Sequence, residues 1–406
     1  MKLLSDFKPP KPNLAFISLC ELLVPVYLKL VDHLTFKFLD SQRSKEFLKG
    51  KQVVIVVNHP DKQDPVVVVA LAKYMHAALY YSVAAREVFD WNYGLLGWLF
   101  QRFGCYSVNR GTIDLKSIHT TQRIVSHAEH NLVVFPEAEV TGDDLLVHDF
   151  SSSLIHVLLA AQDEVAKEES SKSVWVLPVA VSYKLETDLD TSVNKTLNTV
   201  ERKLNIHPDH TDVTTRTRVA IGAVLQNLSE YYGFTLPDHQ PQHEQVGSLV
   251  AHILERIRVY RVVAPGKKLS MELLLHRLQN DLRKEIDTSR NKSPFQQKLW
   301  QNASKISVQF LSDLDRVERL MIFQRVLSLQ SSPIQICRTV DFLERETCGR
   351  MTSKGRQCAS VCFGKPVEVL PYLQLYKSSK NSAVDQLAKC IKSELQLALD
   401  ISHGSN

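Results

Sequence analysis

Residues 53–72 read VVIVVNHPDKQDPVVVVALA, two runs of valine separated by the polar string NHPDKQD. The first run is β-branched throughout and predicts a strand buried on both faces, as in a parallel sheet. The second, opening on Asp64-Pro65, predicts a helix that starts at proline. His59 and Asp64 therefore stand on a loop that a rigid scaffold presents. Asp64 before Pro65 has the arrangement of a helix N-cap, a purely structural role. A carboxylate fixed in that way can also hold the His59 imidazole in one tautomer and leave its other nitrogen free as a base. The residues alone allow both readings.

The same alternation continues on either side. ALYYSVAA (78–85), CYSVN (105–109), NLVVFPE (131–137) and VWVLPVAVSY (174–183) read as strands. PVVVVALAKYMHAAL (65–79), IDLKSIHTTQRIVSHAEH (113–130) and the segment from Ser152 to Glu169 read as helices. Strands alternating with helices predict a mostly parallel sheet with crossover helices, whose functional residues collect at the carboxyl ends of the strands. NHPDKQD, NRGT and PEAEVTGDD each follow a strand and fall in that zone.

From about residue 190 to 350 the pattern turns helical, with five or six amphipathic helices and no repeat. Met271, Leu274, Leu275, Leu278 and Leu282 share one helical face, as do Ile306, Phe310, Leu314, Val317 and Met321. ASVCFGKPVEVL (359–370) then returns to strand character, and residues 382–400 form a last amphipathic helix. A lone strand after a helical block must join a sheet to satisfy its backbone. The expected fold is α/β, a mostly parallel sheet flanked by helices with an all-helical insertion. Its boundaries are 1–48 for N-terminal helices, 49–188 for the core, 189–354 for the insertion and 355–402 for the strand and helix that complete the core.

Composition bounds the rest. With 406 residues, 44% hydrophobic and 23% charged, the chain exceeds what one compact core needs and is not disordered. A net charge of +5 without basic clusters argues against nucleic acid and fits acidic ligands or an anionic membrane surface. Seven cysteines without a signal-peptide pattern predict reduced thiols in a cytosolic setting. Cys348, Cys358 and Cys362 match no standard zinc spacing, so no metal is expected. Residues 14–36 are strongly apolar but interrupted by Glu21, Pro25, Lys29 and Asp32. They predict a helix at the membrane interface or one packed on the core, and not a spanning helix.

Four motifs in order resemble the glycerolipid acyltransferases, the family of lysophosphatidate acyltransferase. NHPDKQD resembles their NH-x4-D box, GCYSVNR (104–110) the second block, FPEAEVT (135–141) the third, usually FPEGTRS, and LPVAV (177–181) the fourth. FGKPVEV (363–369) resembles the Gly-x-Pro strand that closes such domains.

The resemblance implies an O-acyltransferase that needs no metal and no cofactor. His59 would be the general base and Asp64 its orienter. Arg110 would bind an acceptor phosphate, with Gly104 and Glu137 completing the acceptor site. The donor would be an acyl-CoA or acyl-carrier-protein thioester, and the acceptor a lysolipid at a membrane surface. That implies a cytoplasmic protein peripheral to a membrane; the oligomeric state stays open.

The third block departs from the pattern. Ala138-Glu139-Val140 replaces Gly-Thr-Arg, and HDFSSSL (148–154) lacks the usual basic residues. Either the acceptor is less anionic than lysophosphatidate or the insertion supplies charge. Arg256, Arg258 and Arg261 are candidates for that, or simply a solvated helix face. A catalytically inactive member that binds lipid or a partner through its helices is the alternative reading. No G-x-S-x-G elbow of an α/β hydrolase occurs.

Overall fold

The computed structural model describes residues 7–30, 33–39, 47, 53–74, 80–127, 131–207, 212–261, 270–290, 294–328 and 332–404. They form two units. One comprises the described residues within 7–108, 114–186 and 356–404, and the other those within 109–113 and 187–355.

The first unit is built on an eight-stranded sheet. It contains α1 (Leu14–Leu30), β1 (Leu34–Leu39), β2 (Val53–Val57), α2 (Asp64–Tyr74) and β3 (Tyr80–Ala85). A 3-10 segment (Arg86–Gly94), α3 (Leu95–Arg102), β4 (Cys105–Val108), α4 (Leu115–His127) and β5 (Asn131–Val134) follow. Then come α5 (Ser152–Glu168) and β6 (Trp175–Leu185). The second unit holds α6 (Leu189–Leu204), α7 (Val213–Tyr232), α8 (Gln242–Tyr260), α9 (Met271–Arg290), α10 (Pro294–Ser328) and α11 (Pro333–Cys348). The chain returns to the sheet with β7 (Gln357–Phe363) and β8 (Val367–Glu368), and ends with α12 (Leu373–Ser378) and α13 (Lys380–Gly404).

Strand order is β1-β7-β6-β2-β5-β3-β4, with β8 also on β6. All pairings are parallel except those of β6 with β7 and β8. All five residues of β2 are buried, because neighbours flank it on both edges and apolar layers cover it. On one face Val54, Val56, Leu132 and Val134 meet Leu158 and Leu159 of α5 and Leu387, Ile391 and Leu395 of α13. The closing strand β7 lies between β1 and β6, so the strand after the insertion completes the α/β core. Gly364, just past β7, lies so close to α13 that a Cβ would stand 2.9 Å from the Glu394 carbonyl.

One expectation changes. Residues 34–39, read as part of an N-terminal helical segment, form the edge strand β1 paired to β7. LTFKFL alternates apolar and polar residues, and the exposed edge of β7 offered it a ladder. The predicted apolar faces are buried at Leu275, Leu278 and Leu282 and at Phe310, Leu314, Val317 and Met321, while the first member of each, Met271 and Ile306, is exposed. Residues 75–79 and 128–130, the predicted ends of two elements, lie outside the described residues.

In the helical unit α6 packs on α7 and α11, and α10 on α8 and α9. Two buried cations there are paired. The Arg216 guanidinium spans Glu201, Asn194 and Asn198, and the fully buried Lys354 ammonium sits on Glu344 at 2.6 Å and Asp341 at 2.9 Å.

Candidate active site

The site lies at the carboxyl ends of β2 and β5, adjacent in the sheet. The first loop leaves β2 at Asn58, the second leaves β5 at Phe135, and parallel pairing brings them together.

His59 Nδ1 is 2.7 Å from Asp64 Oδ2. With the carboxylate as acceptor, Nδ1 carries the ring proton and Nε2 is left with its lone pair. Among the described residues nothing bonds Nε2, and the side chain is 15% exposed. The imidazole stacks on Phe135, with ring centroids 4.2 Å apart and planes 24° from parallel. An acceptor from one side and an aromatic face from another fix the ring's direction.

Asp64 is completely buried and serves three donors. Its Oδ2 also accepts the Asp61 N–H at 2.8 Å, and its Oδ1 accepts the Tyr183 hydroxyl at 2.5 Å. Burial pushes its carboxyl above the usual carboxylate range, and the bonds from His59 and Tyr183 pull against that. The N-cap expectation is corrected here. Helix α2 begins at Asp64, the N–H groups of Val66 and Val67 bond the Gln63 carbonyl, and the Asp64 side chain turns back to the loop. Its charge still sits at the positive end of the helix.

Glu137 holds the two loops together. Its Oε2 accepts the His59 N–H at 2.7 Å and its Oε1 the His148 N–H at 2.8 Å. Burial raises its carboxyl pKa against those two bonds. The Thr141 N–H adds a bond to the His59 carbonyl at 2.8 Å, so both backbone polar groups of His59 are held by the second loop. Asp143 braces that loop through His148 Nε2 at 3.0 Å and the N–H groups of Leu145 and Leu146. Ala138 adopts φ +60°, the left-handed region that a glycine takes without strain.

His59, Asp64 and Glu137 therefore converge. Gly104 lies at the turn before β4 with φ +82°, and its own N–H and carbonyl bond Gln101 and Ser82, which accounts for glycine there. Arg110 belongs to the helical unit, where its guanidinium donates to Glu318 at 3.3 Å and its carbonyl accepts from Asn280. The second block is thus divided, with Gly104–Val108 in the sheet unit and Arg110 in the other. Tyr183, Thr141 and His148 were not anticipated. Nothing in the spacing of an otherwise apolar strand marks the Tyr183 hydroxyl, whose partner lies 119 positions away. Among the described residues no three His, Cys, Asp or Glu side chains form a metal-ligand cluster.

The family model described as Acyltransferase matches residues 39–182, which contain His59, Asp64, Glu137, Thr141 and His148 and end one residue before Tyr183. Those residues are an acyltransferase domain. The strands that complete its sheet, β7 and β8, follow the helical insertion, so the domain is discontinuous in the chain. No curated protein matches the chain, and no solved structure does. The acyltransferase domain supports acyl transfer as the general activity.

Proposed function

We propose that the protein moves a fatty acyl group from an acyl-CoA or acyl-carrier-protein thioester to a hydroxyl of a lysolipid or related glycerolipid. The observation that carries this is the His59–Asp64 pair, with Nδ1 engaged at 2.7 Å and Nε2 open. Nε2 takes the proton of the acceptor hydroxyl as its oxygen bonds the thioester carbonyl carbon. The tetrahedral adduct collapses with cleavage of the C–S bond, and the imidazolium returns its proton to the leaving thiolate. Asp64 stabilises the imidazolium while it exists. Positioned general bases contribute roughly 10²- to 10⁴-fold to rate.

The acceptor is proposed to be less anionic than a phosphomonoester. Acids crowd the second loop, at Glu137, Glu139, Asp143 and Asp144, and the arginine usual to the third block is absent. Of the three candidates to replace its charge, Arg258 and Arg261 are paired with Glu255 and Glu285, and Arg256 is exposed. A phosphodiester lysolipid, which carries a single negative charge, fits this balance.

Peripheral association with a membrane is part of the proposal. Leu14, Leu19, Leu22, Leu23 and Val26 of α1 are each more than half exposed, and Phe16 ties that helix to Trp98 of α3, itself 46% exposed. Isolated exposed leucines are ordinary, but several on one helix beside an exposed tryptophan support the reading of a surface for lipid. No helix among the described residues is long and apolar enough to cross a membrane.

The test is acyl transfer by the purified chain with both donors and a panel of lysolipids, read by lipid mass spectrometry, against His59→Ala. Product that disappears in the variant supports the reading. If the folded wild type acylates nothing while still binding lipid, the non-catalytic alternative takes its place.

A further inference from the structure

We propose that Tyr183 is a positioning residue for the His59–Asp64 pair, setting the orientation and proton affinity of the base through its hydrogen bond to Asp64. The proposal rests on the acyl-transfer reading for its consequence in rate, and on geometry alone for its effect on His59.

Tyr183 stands where β6 outruns β2. Its backbone is fixed on one side by antiparallel pairing with β7 and on the other by its N–H, which donates to Asp144 Oδ2 at 3.0 Å. The side chain is 4% exposed, and its hydroxyl reaches Asp64 Oδ1 at 2.5 Å. Asp64 thus has one oxygen on Tyr183 and the other on His59 and the Asp61 N–H. Without Tyr183 the carboxylate retains donors on Oδ2 only, and Oδ1 loses the bond that helps fix the plane in which Oδ2 meets the imidazole.

The bond also has an electrostatic sign. The tyrosine O–H points its positive end at the pair, which opposes adding a proton to either member. Charged groups around the pair include Asp61 and Lys62 on the first loop, Glu137 on the His59 backbone, and His148 and Asp143 beyond it. Asp144 faces the Tyr183 N–H. Tyr183→Phe leaves those groups in place and removes only the hydroxyl dipole. The pair's proton affinity should therefore rise.

The experiment is an NMR titration of the histidine ring signals of the full chain, with His59 assigned by its loss in His59→Gln. In Tyr183→Phe the His59 midpoint should move to higher pH. In the acylation assay kcat should fall about tenfold with KM nearly unchanged, the scale of one hydrogen bond to a charged group. The acid limb of the pH profile should move upward with the NMR midpoint. A Tyr183→Phe protein that is folded, with an unmoved His59 midpoint, overturns the proposal and leaves Tyr183 a packing residue. Because the titration needs no turnover, a wild type without activity would sink the acyl-transfer reading and leave this test intact.

Discussion

Asn58 continues the β2–β6 ladder with its side chain, donating from Nδ2 to the Val181 carbonyl at 3.0 Å and accepting the Val181 N–H on Oδ1 at 2.7 Å. The backbone register between the strands ends at Val57 and Val179. From there the loop carrying His59 departs, and side chains take over the β6 edge, first Asn58 and then Asp144 at Tyr183. The asparagine before His59 thus has a structural task that fixes where the loop leaves the sheet.

Asn58→Leu keeps the volume and strands two buried backbone groups of Val181. The expected loss is on the order of 2–5 kcal/mol from the unsatisfied pair, read by urea unfolding. A loss within error of zero would mean that water or another group satisfies Val181.

Ala138 holds φ +60° in the turn that carries Glu137. Ala138→Gly relieves a left-handed conformation worth about 1 kcal/mol or slightly more. The variant should unfold at higher denaturant, although glycine is the more flexible residue. Destabilisation would show that the turn relaxes in solution.

Asp143 gives a pH dependence with a definite sign. Burial pushes its pKa up, but bonds from His148 and the N–H groups of Leu145 and Leu146 prevail and hold it below the usual value of 3.8. A carboxyl whose folded pKa is depressed contributes stability that is present above its unfolded pKa and lost as pH falls through the folded one. Wild type should therefore lose stability below about pH 4 more steeply than Asp143→Asn. Parallel curves of unfolding free energy against pH would remove Asp143 from the account.

The α1 surface predicts lipid binding that charge abolishes. Leu22 and Leu23 are 62% and 53% exposed, so replacing both with Asp should leave folding within about 0.5 kcal/mol of wild type. Flotation with phospholipid vesicles should drop to background in the double variant. Equal flotation of both proteins would assign the membrane contact elsewhere.

The valine runs, the polar string between them and the return of strand character after residue 355 were enough to read an α/β core interrupted by helices. Burial on both faces demands continuous apolar runs, and such runs are visible in any sequence. The pairing of His59 with Asp64 was legible for a related reason, since two residues five positions apart share one loop. Glu137 was legible only through the resemblance of its block; that it clamps the backbones of His59 and His148 comes from parallel pairing of β2 with β5, which spacing does not encode. The edge strand at 34–39 was hidden because its partner lies more than 300 positions away, at β7. Arg110 and Tyr183 mark the same divide. The sequence places each at the end of a strand, but only tertiary packing turned Arg110 to Glu318 and Tyr183 to Asp64. Local pattern determines which segments must be buried. Which buried polar groups meet is decided by pairing between distant strands, where each donor must find an acceptor away from water.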